Sequence, residues 1–378
     1  MGFLTGGLGY IVPFLIVLTI LVFVHELGHY LIARRNKVRV EVFSIGFGPE
    51  LFGWTDRAGT RWKIGTLPFG GYVKMFGEGD VLATSDAADA RELSASERDF
   101  SFRHKRLPQR AAVVAAGPAA NFIFAAVAFA LVFATVGQSV TQPVVGQVVP
   151  SSAAASAGLK PGDRFLSVDR TRISRFEQIQ QIVGLNTGTT IPIVVERDGK
   201  EVNLKATPQI VTDTDRFGNQ HSIARLGVEA KAGALVRLDP ATAVWRGIGQ
   251  TWNITAGTLE ALWQMIVGRR SGDELSGPVG IVRMSGEVAS GGIVALIDFM
   301  AVLSVNLGLI NLFPIPVLDG GHLLFYAAEA IKGKPLGQRA QEYGFRLGLA
   351  LVLTLMVFAT WNDFARLHIF ALIRGLVT

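Results

Sequence analysis

His25-Glu26-Leu27-Gly28-His29 stands inside an apolar run that extends from about Leu8 to Ile32. On a helix the two histidines lie one turn apart on one face, so both imidazoles reach one zinc ion, with Glu26 beside it as a general base. The same five residues on a solvated helix could be a chance pattern. Here three ionisable groups sit where insertion into lipid is expensive, and such residues face a bundle interior or a wet cavity. The stretch therefore predicts a membrane-spanning helix that carries a zinc site.

Two histidines leave such a site short of a third protein ligand, with the fourth position kept for water or substrate. The candidate is Asp319, in Asn311-Leu312-Phe313-Pro314-Ile315-Pro316-Val317-Leu318-Asp319-Gly320-Gly321, a polar interruption of an apolar stretch from about Ile293 to Ile331. Pro314 and Pro316 remove backbone donors while Gly320 and Gly321 loosen the chain, which predicts a break in the helix. Irregular backbone at membrane depth survives only against protein or a wet cavity. The alternative for Asp319 is a capping carboxylate for a helix that restarts near His322. Asp298, in the same stretch, lies nearer an end and reads as an interfacial residue.

The 378 residues are 49% hydrophobic and 17% charged with a mean hydropathy of +0.38, too apolar for a wholly soluble protein. Four segments are long enough to span a bilayer: one within 1–35, then 111–136, an interrupted 293–331 and 345–361. The first carries the histidines and must be retained, so no separate signal peptide is expected. Cysteine is absent, which excludes disulfides and leaves nitrogen and oxygen as zinc ligands.

Basic residues set the expected orientation. Residues 1–7 carry no charge, whereas Arg34, Arg35, Lys37 and Arg39 follow the first span, Arg103, Lys105, Arg106 and Arg110 precede the second, and Lys332, Lys334 and Arg339 separate the last two. Both termini then lie outside. The net charge of +6 resides in these juxtamembrane clusters, so membrane lipids are the expected partners and nucleic acid is not. Arg34 follows Glu26 by about 12 Å of helix, which places the chemistry inside the membrane towards the cytoplasmic face.

Residues 36–110 read as a cytoplasmic-side β segment and loop: Val40–Phe52 and Arg61–Met75 alternate apolar and polar residues and are punctuated by Gly46, Gly48, Gly65, Gly70 and Gly71, as in a pair of hairpins. Such an edge could pair with an unwound substrate, or the sheet could simply cover the helix bundle. Gly77–Asp99 reads as a mobile loop. Residues 143–208 form a β-rich domain, with strands at Val144–Val149 and Arg164–Val168, a helix at Ser174–Leu185 and a hairpin around Asp198-Gly199. Residues 209–292 hold a strand-like stretch, Ile223–Leu238, and an amphipathic helix on which Trp245, Trp252 and Trp263 share one face with Ile248, Leu259 and Ile266. That face belongs either on the outer leaflet or against the β-rich domain. His104, His221, His322 and His368 have no partner at ligand spacing and read as surface or cap residues, with His322 close enough to Asp319 to brace it.

Together, HExxH in the first span and NxxPxPxLDG in a later one resemble the site-2 proteases, intramembrane zinc metalloproteases, and the layout between them is similar to the bacterial RseP branch. The resemblance takes in Gly46-Phe47-Gly48-Pro49, Gly117-Pro118-Ala119-Ala120-Asn121, the Ala157-Gly158-Leu159-Lys160-Pro161-Gly162-Asp163 turn of a PDZ-like domain, and Ser276-Gly277-Pro278-Val279-Gly280-Ile281. It implies a polytopic α-helical membrane protein of about four transmembrane helices, with a re-entrant β-hairpin segment and an inserted extracytoplasmic PDZ-like domain. It further implies Zn²⁺ on His25, His29 and Asp319, Glu26 as catalytic base, and Asn311 with the Gly46 and Gly48 segment at the substrate strand. The implied substrate is a single-pass membrane protein such as an anti-sigma factor, cut in regulated intramembrane proteolysis. Room for one PDZ-like domain, where the branch commonly has two, puts a two-domain gate in doubt. The competing function class is a PDZ-bearing membrane scaffold or chaperone with a structural metal site. Glu26 discriminates against it, since a structural zinc has no use for an unligated carboxylate beside it.

Overall fold

The computed structural model describes residues 2–77, 94–140, 142–173, 176–186, 188–214, 220–231, 234–268 and 277–366. In chain order the elements are α1 (Gly2–Arg35), β1 (Val40–Thr55), β2 (Arg61–Met75), α2 (Ala95–Arg98), α3 (Leu107–Thr135), β3 (Gln138–Val140), β4 (Val145–Val148), α4 (Ala153–Ser156), β5 (Arg164–Val168), β6 (Thr171–Arg172), α5 (Phe176–Leu185), β7 (Ile191–Arg197), β8 (Lys200–Ala206), β9 (Gln209–Thr214), β10 (Gln220–Arg225), β11 (Val228–Ala230), β12 (Ala234–Val236), α6 (Pro240–Ile266), α7 (Pro278–Ser290), α8 (Ile293–Asn311), α9 (Asp319–Lys332) and α10 (Gln338–Arg366). They fall into two compact units, residues 133–239 and the remainder. Among the described residues four helical stretches are long and apolar enough to cross a membrane: Gly7–Arg35, Leu107–Thr135, Ile293–Asn311 and Arg339–Phe364.

In the larger unit three helices approach α3 through glycines. Its alanine-rich surface leaves backbone within reach, and a side chain at Gly28 of α1 would strike Ala116 and Ala120, one at Gly308 of α8 would press on Pro118 and Asn121, and one at Gly247 of α6 would strike Ala126 and Ala130. Lipid tails are as apolar as the helices, so close approach through small residues is what holds such helices together. The interrupted third stretch resolves into α8, a turn through residues 312–318, and a separate helix α9. Arg110, near the start of α3, pairs with Glu329 of α9 at 2.5 Å and lies over the Tyr326 ring. At the start of α7 the buried Asp363 of α10 accepts from the backbone N–H groups of Gly277 (2.9 Å) and Gly280 (2.8 Å).

The expected pair of hairpins is a more compact sheet. Gly71–Met75 runs antiparallel to Val40–Ile45, and Arg61–Ile64 runs antiparallel to Phe52–Thr55. Val42–Ile45 also lies beside Arg61–Ile64, the numbers rising together, so two long bent strands supply four lanes with Val42–Ile45 paired on both sides. Gly46 and Gly48 make the bend in β1, with φ of +87° and +84°, a region open to glycine at no steric cost. An aromatic column of Phe23 and Tyr30 on α1, Phe43, Trp62 and Trp54 fastens the sheet to the helix, with Phe43 and Trp62 stacked at 4.3 Å. Most of the loop expected at Gly77–Asp99 lies outside the described residues, but its end is helical. Ser94 and Glu97 form a reciprocal capping box that starts α2.

The amphipathic helix is α6. Trp245, Trp252 and Trp263 are 75%, 70% and 59% exposed. Its other face meets α3 at Gly247 and α8 at Thr258, whose hydroxyl donates to Asn306 Oδ1 at 3.1 Å. The helix thus runs along two spanning helices, with its tryptophans turned away from them.

The smaller unit is β-rich, with a four-stranded antiparallel sheet in the order β6-β5-β7-β8. Phe165, Ile179, Ile191, Ile193 and Val195 are buried in its core. Asp198 (φ +52°) and Gly199 (φ +76°) make the two-residue hairpin turn that the Asp-Gly pair predicts. Asp163, at the end of the AGLKPGD turn, receives two 2.7 Å hydrogen bonds from Arg197. The unit extends beyond 143–208. β11 pairs with β4, β12 with β3, and Leu226 is buried in the same core, so Ile223–Leu238 is part of this fold.

Candidate metal centre

His25 and His29 project from one face of α1, as their spacing requires, and both are more than nine-tenths buried. Asp319 arrives from the far end of the chain as the first residue of α9. The turn before it is held by Ile315 N–H to Phe313 O (2.7 Å) and Leu318 N–H to Ile315 O (2.8 Å). It folds back onto Gly320 and Gly321, where a side chain would run into Leu312, Phe313, Ile315 and Pro316. The two glycines after Asp319 thus let the proline turn close over the helix start and fix the carboxylate.

Asp319 Oδ2 lies 3.1 Å from His25 Nε2 and 3.5 Å from His29 Nε2, and the two Nε2 atoms are 3.2 Å apart. A tetrahedral zinc with bonds of about 2.0–2.1 Å has ligand-to-ligand edges of about 3.3 Å. The triangle fits that ion. Asp319 Oδ2 is buried and makes no hydrogen bond, and the residue at the N-cap of α9 is Leu318. Among the described residues these three form the one group of metal-ligating side chains close enough to hold an ion.

The histidines are braced from α3. His29 Nδ1 lies 2.9 Å from the carbonyl of Val113, and His25 Nδ1 lies 3.1 Å from the side-chain amide of the fully buried Asn121. Gly117 leaves the space for both rings; a side chain there would collide with His29 and reach His25. Glu26 projects within electrostatic range of His25, His29 and Asp319, and Gly71 of β2 lies against its side chain.

Of the other expected positions, His322 lies within electrostatic range of Asp319 and His29. Asn311 ends α8, eight residues before Asp319. Gly46 and Gly48 face Leu67 and Thr66 across the bend. His322 packs edge-on against Phe325, His104 meets Ser101, and His368 lies outside the described residues. Asn121, Gly117 and Gly71 were not singled out individually from the sequence. A lone asparagine in an alanine-rich apolar span is the signal that could have marked Asn121.

Two histidines and a distant aspartate, with a glutamate beside them and apolar helices around them, are the groups that the centre of a membrane metallopeptidase would need. Residues 13–355 match the profile of peptidase family M50, and the chain belongs to that family, the site-2 proteases. It is 48% identical over 370 residues to a protein of Agrobacterium fabrum named as a zinc metalloprotease, covering 97% of each chain. It is 47% identical to one of the same description from Rhizobium meliloti, over 96% of this chain and 98% of that one. Metalloprotease MmpA of Caulobacter vibrioides is 38% identical over 99% of this chain and 100% of its own. A solved PDZ domain of an SdrC-like protein from Listeria monocytogenes aligns with 25% of this chain and 93% of its own, at 17% identity and a TM-score of 0.20. The chain is a membrane metalloprotease, which sets the scaffold reading aside.

Proposed function

We propose that this protease holds zinc on His25, His29 and Asp319 and cleaves a transmembrane segment of a single-pass membrane protein within the bilayer. The observation that carries the proposal is the triangle of 3.1, 3.2 and 3.5 Å among three buried ligand atoms, set inside apolar helices. Zinc bound there supplies Lewis-acid polarisation of the scissile carbonyl. Glu26 takes a proton from the attacking water and later returns it to the leaving amide nitrogen.

A helical substrate must first unwind. The lane Gly71–Lys74 pairs with Val42–Ile45 and begins against Glu26, so an unwound strand laid along this sheet would meet backbone groups beside the base. The bend at Gly46 and Gly48 shapes that sheet, and Asn311 steadies the strand from the end of α8. By resemblance the substrate is an anti-sigma factor or a similar regulator, already trimmed on its outer side. The basic clusters favour an inner-membrane protein with both termini periplasmic. Zinc analysis of the purified chain, beside cleavage of a generic transmembrane helix, tests the reading. A metal-free protein that still cleaves the helix would overturn it.

A further inference from the structure

The two zinc-facing histidines are held in different ways. His29 meets a main-chain carbonyl, which can only accept, so its Nδ1 carries the proton and its Nε2 keeps a lone pair for the ion. His25 meets an amide, which can donate or accept. With its nitrogen towards His25, Asn121 would leave Nδ1 unprotonated and put the ring proton on Nε2, the atom that points at Asp319 and His29. That tautomer cannot ligate a metal through Nε2. Its Oδ1 would also be buried with no hydrogen-bond partner. Amide nitrogen and oxygen occupy nearly the same space, and one of them stays unpaired in either orientation, so the tautomer decides between them.

We infer that Asn121 is a positioning residue for the metal centre, its side-chain oxygen accepting the Nδ1–H of His25 and so fixing the zinc-binding tautomer. The inference rests on the zinc site proposed above. Asn121 is suited to the task because it cannot turn away. It is fully buried on α3, its own carbonyl accepts from Ser304 of α8 at 2.9 Å, and Gly308 of α8 faces its Cβ. The same residue therefore ties α8 to α3 through its backbone and orients α1's histidine through its side chain.

The test is zinc retention by the full-length purified protein against a graded chelator, for the wild type, Asn121→Asp and Asn121→Leu. Aspartate keeps the acceptor and lacks the donor; leucine lacks both. Loss of an acceptor behind a ligating histidine weakens metal binding about 10–100-fold, which is the expected behaviour of Asn121→Leu. Asn121→Asp should hold zinc at least as tightly as the wild type. Wild-type retention by Asn121→Leu would overturn the inference, and so would zinc loss in Asn121→Asp, which would make the amide a donor. If Asn121→Leu does not fold, the aspartate variant decides alone. A wild type that holds no zinc at all would instead overturn the proposed metal centre, and this inference with it.

Discussion

Arg110 and Glu329 join the start of α3 to α9 through an ion pair of 2.5 Å, with each side chain only 15% exposed. Because α9 begins with Asp319, the pair also bears on where that carboxylate sits. Removing one partner of such a pair leaves the other charge uncompensated and costs about 3 kcal/mol or more. Arg110→Met should therefore lower the unfolding temperature and loosen zinc. Adding Glu329→Leu should recover most of the stability. Unchanged unfolding and zinc content in Arg110→Met would show the pair to be incidental.

Glu26→Gln should keep fold and zinc and lose proteolysis by at least about 10²–10⁴-fold. The amide still hydrogen-bonds water but cannot accept its proton. Rates on a transmembrane-helix substrate, measured on zinc-loaded protein, check this. Full activity would remove Glu26 from its role as base.

Asp319→Ala should lose zinc and activity together, since two histidines alone make too weak a site. Mass spectrometry of the metal content separates this variant from Glu26→Gln. Stoichiometric zinc in Asp319→Ala would mean that another carboxylate is the ligand.

Acid should weaken the smaller unit through Asp163. Burial pushes its carboxyl up, but the Arg197 guanidinium and the Lys160 N–H outweigh that and hold it below the ordinary 3.8. The folded form thus binds its proton at lower pH than the unfolded chain does. The resulting stability is fully present above the unfolded value and fades as pH falls through the folded one. The protection of the Ile193 and Val195 amides against hydrogen exchange, with the pH dependence of the unprotected rate divided out, should fall in the wild type from pH 6 to pH 3. Asp163→Asn should be less stable at neutral pH and flatter across that range; an equally steep profile would point to other groups.

If the β-rich unit excludes bulky substrates, excising residues 137–238 should leave cleavage of a pre-trimmed helix intact and allow cleavage of one that still carries a folded outer domain. The narrower cut 144–208 would strip β11 of its partner β4 and leave Leu226 uncovered. Continued rejection of the untrimmed form by the larger excision, with the trimmed form still cut, would rule out exclusion by bulk.

Short-range signals made much of this legible. The histidine spacing depends only on helix geometry, and Pro314, Pro316, Gly320 and Gly321 mark their turn by local chemistry alone. What stayed hidden depends on contacts between distant parts of the chain. Asn121 gains its role from a histidine 96 residues earlier. β11 completes a sheet begun at β4, and Val42–Ile45 acquires two neighbouring lanes from one bent strand. The contacts of helix α6 were hidden in the same way, since Asn306, the partner of Thr258, lies on another helix.

The two histidines, the α3 groups that orient them and the aspartate that completes the triangle occur in that order along the chain. During synthesis the histidines emerge first, their braces on α3 next, and Asp319 only after the β-rich unit has been made. A nascent or truncated chain ending before α9 consequently has a pair of imidazoles but no complete metal site. If zinc is held as proposed, metal loading follows near-completion of the polypeptide, and unfinished copies lack a working site.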